Sequence, residues 1–280
     1  MPQIREVLAM HERFQSVDKA QLARRFGAAA RHYDAHARFQ QEVGLALLDR
    51  MTGEPVTPAS LSTSSPISGL DLGCGTGFFL PALAGRCQQL HGLDLAPGML
   101  AQAALRGSGA RLLCGDAEAL PFADQSLDWV FSSLALQWCE RPAQAFGELH
   151  RVLKPGGQLL FSTLLSDSLW QLREAWRTVD DSPHVNRFLS LPQLQDAMAA
   201  GDFTAPRLES LTWSLAYPEL NGLLRDLKGI GASQINDERQ SGLSSRQRLQ
   251  RLTEAYEAYR QPDGLLAASY QVCLGRLIRG

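Results

Sequence analysis

The 280-residue chain has no C-x-x-C pair, no apolar run of bilayer length, no internal repeat and a formal net charge of only -2. Each absence closes a class of function. The five cysteines (Cys74, Cys87, Cys114, Cys139, Cys273) are odd in number and far apart. They frame neither a zinc site nor a disulfide scaffold and read as reduced, mostly buried thiols. The histidines show no ligand spacing, so no metal is expected. A membrane span needs about 20 apolar residues, and charges at Arg5 and Glu6 interrupt the N-terminus before any signal-like core. A cytoplasmic protein is therefore expected, with no membrane partner. The near-neutral charge argues against a broad nucleic-acid surface.

What the chain does have is a 45% hydrophobic content, enough for the core of one large domain. It also has the stretch Leu70-Asp71-Leu72-Gly73-Cys74-Gly75-Thr76-Gly77. An apolar strand there runs into glycines at every second position, and a helix opens at Phe78–Ala84. Glycine permits close backbone approach to a ligand, and a helix start offers unpaired N–H groups.

Strands and helices then alternate. Strands are expected at 67–72, 89–94, 111–116, 126–132 and 158–163, with helices from Pro97 and over 143–153 and a turn at Lys154-Pro155-Gly156-Gly157. This pattern predicts a parallel sheet covered on both faces. Upstream, helical spacing over 19–51 predicts two helices that break near His36 or Phe39. Residues 1–18 read as a loose or weakly helical extension and 52–66 as a flexible loop. The cofactor-binding core is expected over 67–163. Regularity then breaks, and 164–204 reads as a helical cap inserted above the sheet. It includes a helix over 168–179 with Arg173 and Arg177 exposed on one face. The C-terminal part, 205–280, returns to the sheet.

Four features fall at the ends of successive strands, where open α/β sheets bind ligands. They are the glycine turn (Gly73, Gly75, Gly77) preceded by Asp71; Asp94, 21 residues after Gly73; Asp116; and the run Ser132–Trp138. A carboxylate ending strand two suits a ribose diol, and Asp116 can accept from an exocyclic amine such as adenine's. Nicotinamide enzymes use G-x-G-x-x-G, whereas this turn is G-x-G-x-G with an acid ahead. Asp71 would repel a pyrophosphate and suits an ammonium. The implied ligand is S-adenosylmethionine, with Leu95, Met99, Ala117 and Ser133 flanking these features as further cofactor contacts. Plainer readings stay open beside these. Asp71 could bond the turn's own backbone, Asp94 and Asp116 could be caps or solvated acids, and Tyr33, Gln137 and Trp138 could be core.

Leu70–Gly77, Gly92–Pro97, Gly115–Phe122 and Lys154–Gly157 resemble the main motifs of class I methyltransferases. The resemblance implies a Rossmann-like fold with a mixed seven-stranded sheet. More selectively, Phe26–Ala37, Leu134–Cys139, Asn186–Phe188 and Leu227–Ala232 are similar to the malonyl-acyl-carrier-protein O-methyltransferases of biotin synthesis. That family implies S-adenosylmethionine as cofactor and an acyl carrier protein bearing a malonyl thioester as partner. It places Tyr33 over the methionine part of the cofactor, and Tyr33, Gln137 and Trp138 are expected to position substrate without a general base. Arg173, Arg177, Arg187 and Lys228 are candidates for the substrate carboxylate or the acidic carrier. Two rivals are another small-molecule methyltransferase, for example one acting on a quinone precursor, and a non-catalytic adapter that keeps the cofactor fold.

Overall fold

The computed structural model describes residues 14, 15, 17–52, 66–232 and 245–280. The expected extension and the 52–66 loop lie almost wholly outside them. Three helices come first: α1 (Lys19–Ala29), α2 (Tyr33–His36) and α3 (Arg38–Thr52). One of the breaks falls at Ala37, as expected, and a second at 30–32 makes three helices where two were read. Asp18 starts α1 by accepting from Gln21 N–H at 2.8 Å.

The alternation follows as β1 (Ser68–Leu72), α4 (Leu80–Ala84), β2 (Gln89–Asp94), α5 (Pro97–Ala104), β3 (Arg111–Cys114), β4 (Leu127–Ser133), α6 (Pro142–Val152) and β5 (Leu153–Leu164). Then come α7 (Trp170–Arg177), α8 (Leu191–Met198), β6 (Phe203–Tyr217), α9 (Leu220–Gly229), α10 (Ser245–Tyr256) and β7 (Leu266–Arg279). Pro97 and Pro142 sit in the first turns of α5 and α6, where the missing N–H costs nothing. The Lys154–Gly157 turn is not a separate element. Leu127 pairs with Leu153 and Trp129 with Gln158, so these residues bulge within β5.

The seven strands run in the order β3-β2-β1-β4-β5-β7-β6. β1 to β5 are parallel, and β7 inserts antiparallel between β5 and β6. This is the mixed seven-stranded sheet that the resemblance to class I methyltransferases implies. Side chains alternate across it. Trp129 and Phe131 of β4 join α3 and α4 on one face, and Val130 joins Phe146 and Leu149 of α6 on the other. β6 is one of the two edge strands, and Pro206 falls at its register slip, where no ladder N–H is needed.

Strand order reverses between β1 and β4, so a crevice opens at their carboxyl ends. The inserted segment after β5 roofs that crevice. It does not do so alone: α9 and α10, which lie between β6 and β7, and α1 and α2 also line the chamber. Among the described residues no helix is long and apolar enough to cross a membrane.

Candidate active site

The crevice encloses a cavity of about 630 Å³. Its floor begins at the glycine turn. Gly73 N–H and Cys74 N–H both donate to Leu93 O, at 2.7 and 3.0 Å, which pins the turn to β2. Gly73 has φ +71°, and a Cβ there would come within 2.3 Å of the Ala135 methyl. Any other residue would close the turn against the loop after β4. Asp94 ends β2 with both oxygens engaged: Oδ2 accepts from Gly75 N–H at 2.9 Å and Oδ1 from Ala96 N–H at 2.8 Å. Each oxygen keeps a further lone pair for a diol. Burial pushes the Asp94 carboxyl up, and these N–H bonds pull partly back.

Asp71 stands behind the turn. It is 2% exposed and does not line the cavity. Its Oδ2 has no hydrogen-bond partner among the described residues. Burial, then the nearby Asp94, pushes its carboxyl up to about 8. An orphaned buried acid behind a glycine cradle, with a carboxylate fixed at the next strand end, fits a ligand with a cationic end and a ribose.

Of the sequence-predicted residues, Tyr33, Gly73, Gly75, Asp94, Leu95, Met99, Asp116, Ala117, Ser133, Gln137 and Trp138 line this one cavity. Asp71, Gly77, Arg173, Arg177, Arg187 and Lys228 do not. Tyr33 is brought in by a clasp. Thr76 Oγ1 donates to Asp34 Oδ1 at 2.6 Å, Arg106 pairs with Asp34, and Arg106 Nε donates to Thr76 O at 2.6 Å. Burial, with Asp94 and Asp34 nearby, raises the Tyr33 phenol, which stays protonated. Gln137 is held by its own loop, with Nε2 donating to Leu134 O at 2.6 Å. Trp138 meets Phe26 edge-on, with centroids 5.4 Å apart. Leu134 and Leu169 line the cavity at positive φ (50° and 55°), a strained geometry typical of functional sites.

The expectation that Arg173 and Arg177 share an exposed face is corrected. Arg173 turns back to donate to Ser166 O and Ser168 O, at 2.8 and 3.0 Å, fixing the loop before α7. Arg177 is 65% exposed and pairs with Glu174 at 2.5 Å.

Several contributors were not read from the sequence. Lys19, opening α1, reaches Asp116 at 2.5 Å and Glu118 at 2.8 Å and so covers the end of β3. Phe39 and Tyr270 stack at 4.1 Å in the cavity wall. Asp180, His184 and Arg248 form a polar cluster in the roof. Their spacing in the chain carries no signal, since Lys19 and Asp116 lie 97 residues apart and Phe39 and Tyr270 are farther apart still.

The selective sequence segments converge on this chamber. Leu227–Ala232 packs on Phe26–Ala37: a Cβ at Gly229 would lie 2.4 Å from the His36 ring, and His36 Nδ1 meets Asp226 at 3.0 Å. Asn186 Nδ2 donates to Ala232 O at 3.4 Å. Phe26, Trp138, Asn186 and Ile230 all face the cavity.

Comparison with known proteins gives the same picture. Residues 70–161 match the family model described as "Methyltransferase domain". The YcgJ protein of Bacillus subtilis has a similar fold, with TM-score 0.59 at 20% identity over 84% of this chain and 97% of that one. The biotin biosynthesis bifunctional protein BioHC of Cellvibrio japonicus is 43% identical over 92% of this chain, which spans 49% of that longer protein. The malonyl-[acyl-carrier protein] O-methyltransferase of Methylovorus sp. (strain MP688) is 41% identical over 92% of this chain and 88% of its own length. With the glycine turn, the strand-end acids and the selective segments all gathered on one cavity, the chain belongs to the malonyl-[acyl-carrier protein] O-methyltransferase family.

Proposed function

We propose that this protein methylates the free carboxylate of a malonyl thioester carried on acyl carrier protein, with S-adenosylmethionine as donor. When bound, S-adenosylmethionine supplies an electrophilic methyl group. Asp71 and the Gly73–Gly75 backbone would hold its amino-acid end, Asp94 its ribose and Asp116 its adenine amine. Leu95, Met99, Ala117 and Ser133 would flank it, and Tyr33 would cover the methionine part. The observation that carries the reading is the buried Asp71 carboxyl behind the glycine cradle, close to Asp94, with its Oδ2 unpartnered among the described residues.

The acceptor needs little activation. A malonyl half-thioester carboxylate is ionised at neutral pH, so the protein's task is alignment and exclusion of water. Gln137 and Trp138 form the wall where the acceptor would lie. The apolar roof, with Leu169, Leu172 and Phe188, keeps water out. Arg177, Arg187 and Lys228 are exposed on the cap elements and suit docking of an acidic carrier. Arg173 would support them by fixing the loop before α7.

The deciding experiment offers the purified protein malonyl-carrier or a quinol, with S-adenosylmethionine, and follows ester or ether formation. Methyl ester on the carrier alone is expected. Quinol methylation would overturn the acceptor assignment, and cofactor binding without turnover on any acceptor would favour an adapter. Restoration of biotin-free growth in a strain lacking this methyltransferase is the cellular counterpart.

A further inference from the structure

We infer that Arg248 receives the free carboxylate of the substrate inside the cavity, aimed by Asp180 and backed by Trp176. The inference rests on the malonyl-thioester reading above and names the residue that grips the acid. The acceptor carboxylate must enter a chamber whose roof is built largely of leucine, valine and phenylalanine. An ionised group cannot be left there without a cationic partner. Three permanently cationic side chains line the cavity among the described residues: Lys19, Arg25 and Arg248. Lys19 is committed to Asp116 and Glu118 at the adenine end, and Arg25 has a partner of its own.

Arg248 is different. Its Nη2 donates to Asp180 Oδ2 at 2.7 Å and lies 3.4 Å from His184 Nε2, its Nε is buried, and its Nη1 has no partner among the described residues. A guanidinium beside a cavity with its Nη1 uncommitted can take a further acceptor there. The mounting is also rigid. Asp180 Oδ1 holds His184 Nε2 at 2.6 Å, the His184 ring stacks on Trp176 at 3.7 Å, and the guanidinium lies 5.7 Å from the same indole. Trp176, His184 and Arg248 all line the cavity. Asp180 thus orients the guanidinium and limits its charge while a donor remains for an anion.

One donor gripping one carboxylate oxygen leaves the other oxygen free to take the methyl group. Esterification removes the charge that Arg248 recognises, so the ester is held less well than the acid and leaves. The same logic excludes acetyl thioesters, which have no acid to offer.

The test compares wild type with Arg248→Ala and Arg248→Lys on two substrates: malonyl-carrier, and the malonyl thioester of N-acetylcysteamine, which has neither carrier nor phosphate. Arg248→Ala is expected to lower kcat/KM about a hundredfold on both, and Arg248→Lys to restore part of it. S-adenosylhomocysteine affinity, read by calorimetry, is expected to stay within about twofold because its site is elsewhere. The ratio of the acetyl thioester's Ki, as competitive inhibitor, to the malonyl thioester's KM should fall toward one in the alanine variant. A loss confined to malonyl-carrier would overturn the inference, since Arg248 would then hold the carrier or its phosphate. An unchanged kcat/KM on both substrates would overturn it too and leave a structural ion pair. If the alanine variant does not fold, Arg248→Gln keeps a donor for Asp180 without the charge and is read in the same way. Wild type inactive on both malonyl substrates would instead sink the acceptor reading itself, before any variant is compared.

Discussion

Asp71 is the residue on which the proposed cofactor site turns. Its carboxyl is buried, lacks a partner for Oδ2 among the described residues and is pushed up to about 8. In the unfolded chain an aspartate titrates near ~4. Between those values the native protein holds a proton that the unfolded chain has released, so stability falls as pH rises through that window. A cation bound next to Asp71 draws that proton off, so binding and proton release are linked. S-adenosylhomocysteine, which carries the ammonium, is therefore expected to bind more tightly at pH 8 than at pH 6. Calorimetry in two buffers of different ionisation enthalpy should show a proton leaving at the lower pH. Asp71→Asn should lose ligand affinity by about tenfold at pH 8, the worth of a charged hydrogen bond, while its ligand-free Tm falls less between pH 6 and 9 than that of wild type. A variant with the same affinity and pH slope as wild type would show that Asp71 only braces the turn. Asp71 was legible in the sequence because a strand fixes the acid relative to the glycines. Arg248 was not, because its partner Asp180 is 68 residues away and only the folded roof brings them together.

At the scale of elements, the short helix α2 depends on one polar clasp. Asp34 accepts from Thr76 in the glycine turn and pairs with Arg106, just beyond α5. These contacts join three elements and set where Tyr33 sits. The pair is partly exposed, so its share of global stability is small, whereas its effect on position is local and direct. Arg106→Ala is expected to weaken S-adenosylhomocysteine binding about fivefold, a typical loss for one charge-assisted bond, with little change in Tm. Unchanged affinity would mean that packing alone places α2. The same contrast explains which elements could be read in advance. β2 and α5 were legible to the residue, because a carboxylate ends the strand and Pro97 starts the helix. The Lys154–Gly157 stretch has the composition of a turn yet runs within β5, because pairing to Leu127 and Trp129 captures both ends. The N-terminal helices divide twice rather than once because 30–32 must turn α2 onto Thr76. The roof was placed in 164–204 alone, since nothing in the spacing of α9 or α10 says that they fold back over the sheet.

At the scale of the whole molecule, segments far apart in the chain form one chamber, and all four family-selective segments contribute to its lining. The cofactor motifs therefore say little about the acceptor, while Leu227–Ala232 packed on Phe26–Ala37 says more. On the proposed function, recognition divides into two layers. Arg248 lies within the cavity, whereas Arg177, Arg187 and Lys228 are exposed on the cap elements outside its lining. Arg187 is braced over the Phe14 ring, 4.7 Å from its centroid. With a net charge of only -2, the protein as a whole exerts no long-range pull on an acidic carrier, so any steering must come from such a local patch. Reversing all three residues to glutamate is expected to raise KM about tenfold for malonyl-carrier, through slower association. The malonyl thioester of N-acetylcysteamine should be unaffected. Raising ionic strength should produce the same selective loss in wild type, because exposed charges are screened within about 8–10 Å. The two layers thus differ in kind: an inner variant harms every malonyl substrate at any salt, and an outer one harms the carrier-bound substrate alone. If the triple reversal affects both substrates equally, those cations act on the chamber rather than on the carrier, and the docking face must lie elsewhere on the rim.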